Sequence, residues 1–107
     1  MTKQEYLLTV ASEECAEIQQ AISKALRFGL DACHPDTPWL PNGTQILNEF
    51  HQLEAVIGML VGAKILANTT LEERTDIMDR KVKKVKRYME VSKELGCLVD
   101  RGKGVGL

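Results

Sequence analysis

Residues 12–18, SEECAEI, set three carboxylates (Glu13, Glu14 and Glu17) among residues that belong to the buried stripe of a helix. At about 100° per residue, Leu7, Val10, Ala11, Ile18, Ala21, Ala25 and Phe28 all fall within roughly 60° of Glu14. Glu14 therefore lies mid-stripe, Glu17 shares its edge one turn later, and Glu13 sits further round toward solvent. Dehydrating a lone carboxylate is expensive, so an acid here needs a cation, a hydrogen-bond network or a water-filled cleft. Solvent at the stripe edge or a pairing with Lys24, about 20° from Glu17, is the plainer alternative.

The helix that carries this stretch is predicted over residues 3–28, opened by a Thr2–Glu5 capping box and stopped by Gly29. GLDACHPDTPWLPNG, residues 29–43, holds all three prolines and reads as a loop long enough to have a role. Helical spacing resumes over 44–67, with Asn42 and Gln45 as a second capping box. It resumes again over 70–95, with Thr69 or Thr70 facing Glu72 or Glu73 and an apolar line through Leu71, Met78, Val82, Val85 and Met89. Strand alternation is absent, so an all-α fold is expected, with residues 1–95 as one helical domain and the glycine-rich 96–107 as a mobile tail.

Composition agrees with a small single domain: 107 residues, 44% of them hydrophobic, suffice for a modest core. With 14 basic and 15 acidic residues the net charge is −1, which gives no general attraction to nucleic acid or anionic membranes. Cys15, Cys33 and Cys97 are odd in number and widely spaced, which favours reduced thiols. MTKQEYLL has no signal-peptide pattern, and AVIGMLVGAKILA, residues 55–67, is too short to span a bilayer and contains Lys64. A soluble cytoplasmic protein is expected.

Glu49, in NEFHQLEAVIGML, repeats the opening arrangement. Leu53, Val56, Leu60, Ala63 and Ala67 lie within roughly 40° of it, and Gln52 follows one turn later. If the two stripes pack antiparallel, Glu14, Glu17, Glu49 and Gln52 converge. Oxygen ligands of this kind suit a hard divalent cation, Mg²⁺ or Mn²⁺, which also takes phosphate oxygens of a substrate.

EECAE (residues 13–17) followed by EFHQ (49–52) resembles the paired E-E-x-x-E and E-x-x-D signature of the MazG-like, all-α nucleoside triphosphate pyrophosphohydrolases, relatives of dimeric dUTPases and phosphoribosyl-ATP pyrophosphohydrolase. AISKALRFG and KVKKVKRY are similar to MazG-like sequences as well, so the resemblance spans about residues 5–95. It implies a helical bundle completed by dimerisation, or by a dimer of dimers, that splits a nucleoside triphosphate into monophosphate and pyrophosphate. By the same resemblance Glu14, Glu17 and Glu49 would ligate Mg²⁺, and Glu13 would be a supporting acid. Where the family has its fourth acid this chain has Gln52, whose carbonyl can ligate but brings no charge. That departure leaves a non-catalytic or weakly active nucleotide-binding homologue as the alternative.

Lys24, Arg27, Lys81, Lys84 and Arg87 are candidate triphosphate contacts, because phosphate oxygens need charged donors. Trp39 is a candidate for stacking on a base, or else covers a helix. Cys33 and His34 in CHPD make a poor zinc site without a second half, and His51 reads as a surface residue. GKGVG in the tail lacks the spacing of a P-loop, though Arg101 and Lys103 are available to close over a phosphate. The second helix is apolar around most of its circumference, and Gly58 and Gly62 would permit close helix approach, so dimerisation is expected from the residues too.

Overall fold

The computed structural model describes residues 1–99, and among these every regular element is helical. Helix α1 covers Lys3–Phe28, α2 Asn42–Gly62 and α3 Leu71–Glu94. The chain divides into two compact units, Met1–Asn68 and a second beginning at Thr69. No helix among the described residues is long and apolar enough to cross a membrane. The part of the tail containing Arg101 and Lys103 lies outside the described residues.

In the first unit α1 and α2 form an antiparallel hairpin. Leu7, near the start of α1, packs with Val56 and Leu60 near the end of α2, and Val10, Ala11 and Ile65 close around them. Toward the other end Ala21 and Ala25 are buried. Phe28, on the same predicted stripe, is 64% exposed, so the buried face ends before the helix does.

The α1 start is the expected capping box: Glu5 N–H donates to Thr2 Oγ1 at 3.1 Å, and Thr2 N–H donates back to Glu5 Oε1 at 3.2 Å. Such a cap stabilises a helix by about 1 kcal/mol. Gly29 ends α1 at φ 101°, its N–H donating to Ala25 O. The second expected box does not form. Asn42 is already helical, and Pro41 takes the cap position without a side-chain bond. Asn42 Nδ2 instead donates to Gly29 O at 2.9 Å, and Gln45 turns to Glu49.

The 29–43 loop is fastened across its base. Gly43 N–H donates to Leu30 O, Asn42 N–H to Ala32 O, and Cys33 and Pro41 form an isolated antiparallel bridge. Inside, Thr37 N–H donates to His34 O and Leu40 N–H to Thr37 O. Backbone groups that three prolines and a turn would leave unpaired thus find partners.

Helix α2 stops five residues before the predicted end at 67. Lys64 N–H donates to Val61 O and Ile65 N–H to Leu60 O, while Lys64 adopts φ 61°. This is a Schellman motif, with Ile65 folded back on the core beside Leu60. Helix α3 ends the same way: Gly96 N–H donates to Lys93 O, Cys97 N–H to Ser92 O, and Gly96 has φ 76°. One terminus uses glycine in the left-handed position and the other uses lysine.

Within the second unit α3 opens on the Thr70–Glu73 capping box, both bonds at 3.1 Å. Acidic Glu72 and Glu73 in the first turn and Lys93 in the last complement the helix dipole, and Arg80 pairs with Asp76 at 2.9 Å. Met78, Val82 and Val85 remain exposed. A left-handed backbone is unfavourable for a residue with a Cβ by about 1 kcal/mol, partly offset in the unfolded chain. Lys64→Gly is therefore expected to stabilise the protein by about 0.5–1 kcal/mol, read as a rise in thermal midpoint.

Candidate metal centre

The three-residue step from Glu14 to Glu17 puts both acids on the α2-facing side of α1. Glu49 meets them from α2. One carboxylate oxygen from each lies within 4.8 Å of the others. Glu49 is only 9% exposed, Glu14 is half-buried and Glu17 is at the solvent edge. Stripe geometry and antiparallel packing thus bring the two acidic patterns together.

The hydrogen bonding at this point is incomplete. Gln45 Nε2 donates to Glu49 Oε1 at 2.5 Å, one turn away on the same helix. Glu49 Oε2 and Glu14 Oε2 are buried with no hydrogen-bond partner. A buried carboxylate oxygen without a donor is costly. Among the described residues no ion pair joins Lys24 to Glu14, Glu17 or Glu49, so the lysine alternative does not account for the cluster.

Glu17 is held above the ordinary glutamate value of 4.5. The largest cause is the Glu49 side chain, close enough to hydrogen-bond with it. The charges of Glu14 and Glu49 push the same way, followed by burial and then Glu13. Three converging acids with two orphaned buried oxygens fit a hard divalent cation: the donors are all carboxylate oxygens, and the cation would supply the missing positive charge. Glu14, Glu17 and Glu49 could hold it.

The remaining predicted residues are dispersed. Lys24 is half-buried and lines a cavity of about 280 Å³ with Glu17, Gln20, Ala21, Gln45 and Glu49. Glu13 and Gln52 are exposed. Arg27 is exposed, its guanidinium 5.0 Å from the centre of the Phe28 ring. Trp39 stands 75% exposed in the loop. Lys81 and Lys84 are on α3 in the second unit, beside Tyr88 and Ser92. His51 is a surface residue, as expected, 2.6 Å from Glu54. His34 Nδ1 accepts from Asp36 N–H at 3.0 Å.

Gln20 was not singled out by sequence, and Gln45 was expected only as a capping residue. Each sits one turn from an acid of the cluster, Gln20 three after Glu17 and Gln45 four before Glu49, and that spacing was the available signal. Compared with protein-family models, curated proteins and solved structures, the chain matches none.

The raised Glu17 has a consequence for stability without metal. The folded protein binds a proton there that the unfolded chain releases, so this contribution is present below about pH 4.5 and is lost as pH rises through the folded value. Glu17→Gln is accordingly expected to raise the melting temperature of chelator-treated protein at pH 7, by a margin that shrinks as the pH falls to 4. Melts of both proteins across that range measure it.

Proposed function

We propose that this chain is a Mg²⁺- or Mn²⁺-dependent nucleoside triphosphate pyrophosphohydrolase of the MazG-like kind, acting as a homodimer or dimer of dimers. The observation that carries the proposal is the convergence of Glu14, Glu17 and Glu49 with two buried oxygens left unpartnered. The resemblance of EECAE and EFHQ supplies the reaction class.

In that reaction a water oxygen bonds to the α phosphorus and gives up a proton to solvent or a nearby carboxylate, the bond from that phosphorus to the α–β bridging oxygen breaks, and the electron pair leaves with pyrophosphate. Mg²⁺, when bound, would supply an activated water and offset the charge on the leaving group. Glu14, Glu17 and Glu49 would hold the cation, with Gln45 fixing one oxygen of Glu49. Glu13, further round α1, is the supporting acid. Among the phosphate candidates, Lys24 has the strongest support because it lines the same cavity as Glu17 and Glu49. Arg27, Lys81 and Lys84 remain candidate phosphate contacts and Trp39 a candidate base contact.

A second reading, a nucleotide-binding or assembly homologue with little turnover, is favoured by one observation: Gln52 is neutral and exposed where a fourth acid is expected. Pyrophosphate release from a panel of NTPs and dNTPs with Mg²⁺ or Mn²⁺ separates the two. The expected result is metal-dependent turnover that Glu14→Gln reduces by about 100-fold or more. A native protein that is silent until Gln52→Asp restores turnover establishes the second reading.

Support for a homodimer comes from the outer faces of the hairpin, where Leu26, Leu47, Phe50, Ile57 and Met59 are all exposed. A Cβ added at Gly58 meets nothing within 4 Å, so in an isolated chain Gly58→Ala would simply stabilise α2 by about 0.5–1 kcal/mol. In a dimer with close helix approach at Gly58 the same methyl separates the partners. Gly58→Ala is expected to shift the dimer toward monomer at micromolar concentration in light scattering; a higher melting temperature with unchanged mass would refute that contact.

A further inference from the structure

Beside the acidic cavity the first unit holds another, about 330 Å³, lined by Lys24, His34, Thr37, Leu40, Asn42 and Gln45. That volume is within the ~300–1,000 Å³ of small-molecule sites. The two cavities share Lys24 and Gln45. One has carboxylates along its wall. The other has, besides the shared lysine, an imidazole, a hydroxyl, two amides and a leucine.

The hydrogen bonds already made decide what these groups can offer a ligand. His34 Nδ1 accepts from Asp36 N–H, so in the neutral ring the proton is on Nε2, and the imidazole offers a donor. Asn42 donates one Nδ2–H to Gly29 O, which leaves Oδ1 as an acceptor and a second N–H. Gln45 donates one Nε2–H to Glu49, which likewise leaves Oε1 and a second N–H. The Thr37 hydroxyl can act either way. Neutral donors and acceptors around an apolar side chain suit a heterocycle and a sugar, whereas a triphosphate needs several cations or a metal. The loop that presents His34, Thr37 and Leu40 is pinned at its base, so the groups are held before any ligand arrives.

We propose that this loop cavity is the nucleoside subsite of the acidic centre. The assignment rests on the nucleotide reading above. The phosphates lie against Glu14, Glu17 and Glu49, and the nucleoside lies against His34, Thr37, Leu40 and Asn42. Lys24, at the junction, meets the phosphate that joins the two. The loop thereby selects the substrate, while the helices hold the metal.

Calorimetric titrations with Mn²⁺, using a panel of NTPs and dNTPs and, separately, inorganic triphosphate, test the assignment on native protein and on Thr37→Val and His34→Ala. Far-ultraviolet dichroism melts verify that each variant is folded. The expected result is at least one nucleotide bound about ten-fold or more tightly than inorganic triphosphate. Each variant should weaken that nucleotide about five- to ten-fold, as loss of one hydrogen bond does, and leave inorganic triphosphate unchanged. Inorganic triphosphate binding as tightly as every nucleotide, still with Mn²⁺ dependence, overturns the subsite and leaves the metal centre standing. Absence of Mn²⁺-dependent binding for both ligand types overturns the subsite and the nucleotide reading together. Equal loss of both ligands in the two variants also overturns it, because the loop would then be acting only as a support.

Discussion

Mutual repulsion among Glu14, Glu17 and Glu49 is the constraint against which the first unit is built. Their oxygens are brought within 4.8 Å of one another at the seam of two packed helices, where solvent screens charge less than at an open surface. A hairpin free to relax would splay at this point. It is held by Leu7, Val56 and Leu60 at the far end and by buried Ala21 and Ala25 nearby, whose small side chains allow the helices to run close. The apolar contacts and the acids oppose each other, and the raised protonation of Glu17 is one sign of that opposition.

This opposition also explains the position of Gln45. An amide one turn before Glu49 donates without adding charge of its own, so it fixes one oxygen of the most buried acid while leaving the other without a partner. A lysine in its place would neutralise the acid internally and weaken the case for an external cation. Gln52, one turn beyond Glu49, is exposed. The neutral side chain bonded to an acid of this cluster is thus the one before Glu49, and it limits the motion of that carboxylate.

Much of this was legible in the sequence, and the exceptions have identifiable causes. The starts of α1 and α3 were readable because Thr2–Glu5 and Thr70–Glu73 are reciprocal local bonds that depend on nothing distant. The start of α2 was misread because Asn42 and Gln45 have the composition of a capping box but are drawn to Gly29 and Glu49, partners that only the folded hairpin provides. The end of α2 was placed too late because a lysine at φ 61° carries no glycine signal, and tertiary packing of Ile65 prevailed over the local pattern. Convergence of Glu14, Glu17 and Glu49 followed from helical spacing plus antiparallel packing. The loop cavity did not, since it depends on backbone bonds between residues ten or more apart, such as Asn42 to Ala32.

The fastened base of the 29–43 loop separates two design problems. With Gly43 bonded to Leu30 and Asn42 to Ala32, the helices are joined as if by a connection of a few residues, and the segment between those bonds hangs outside that junction. Closing a longer loop adds only slowly to the entropic cost. Residues 33–41 can therefore change in length and composition without altering the register of α1 against α2. The hairpin is in this respect a chassis with an exchangeable cartridge: descent or engineering can redraw what the loop encloses while leaving the geometry of the acids untouched.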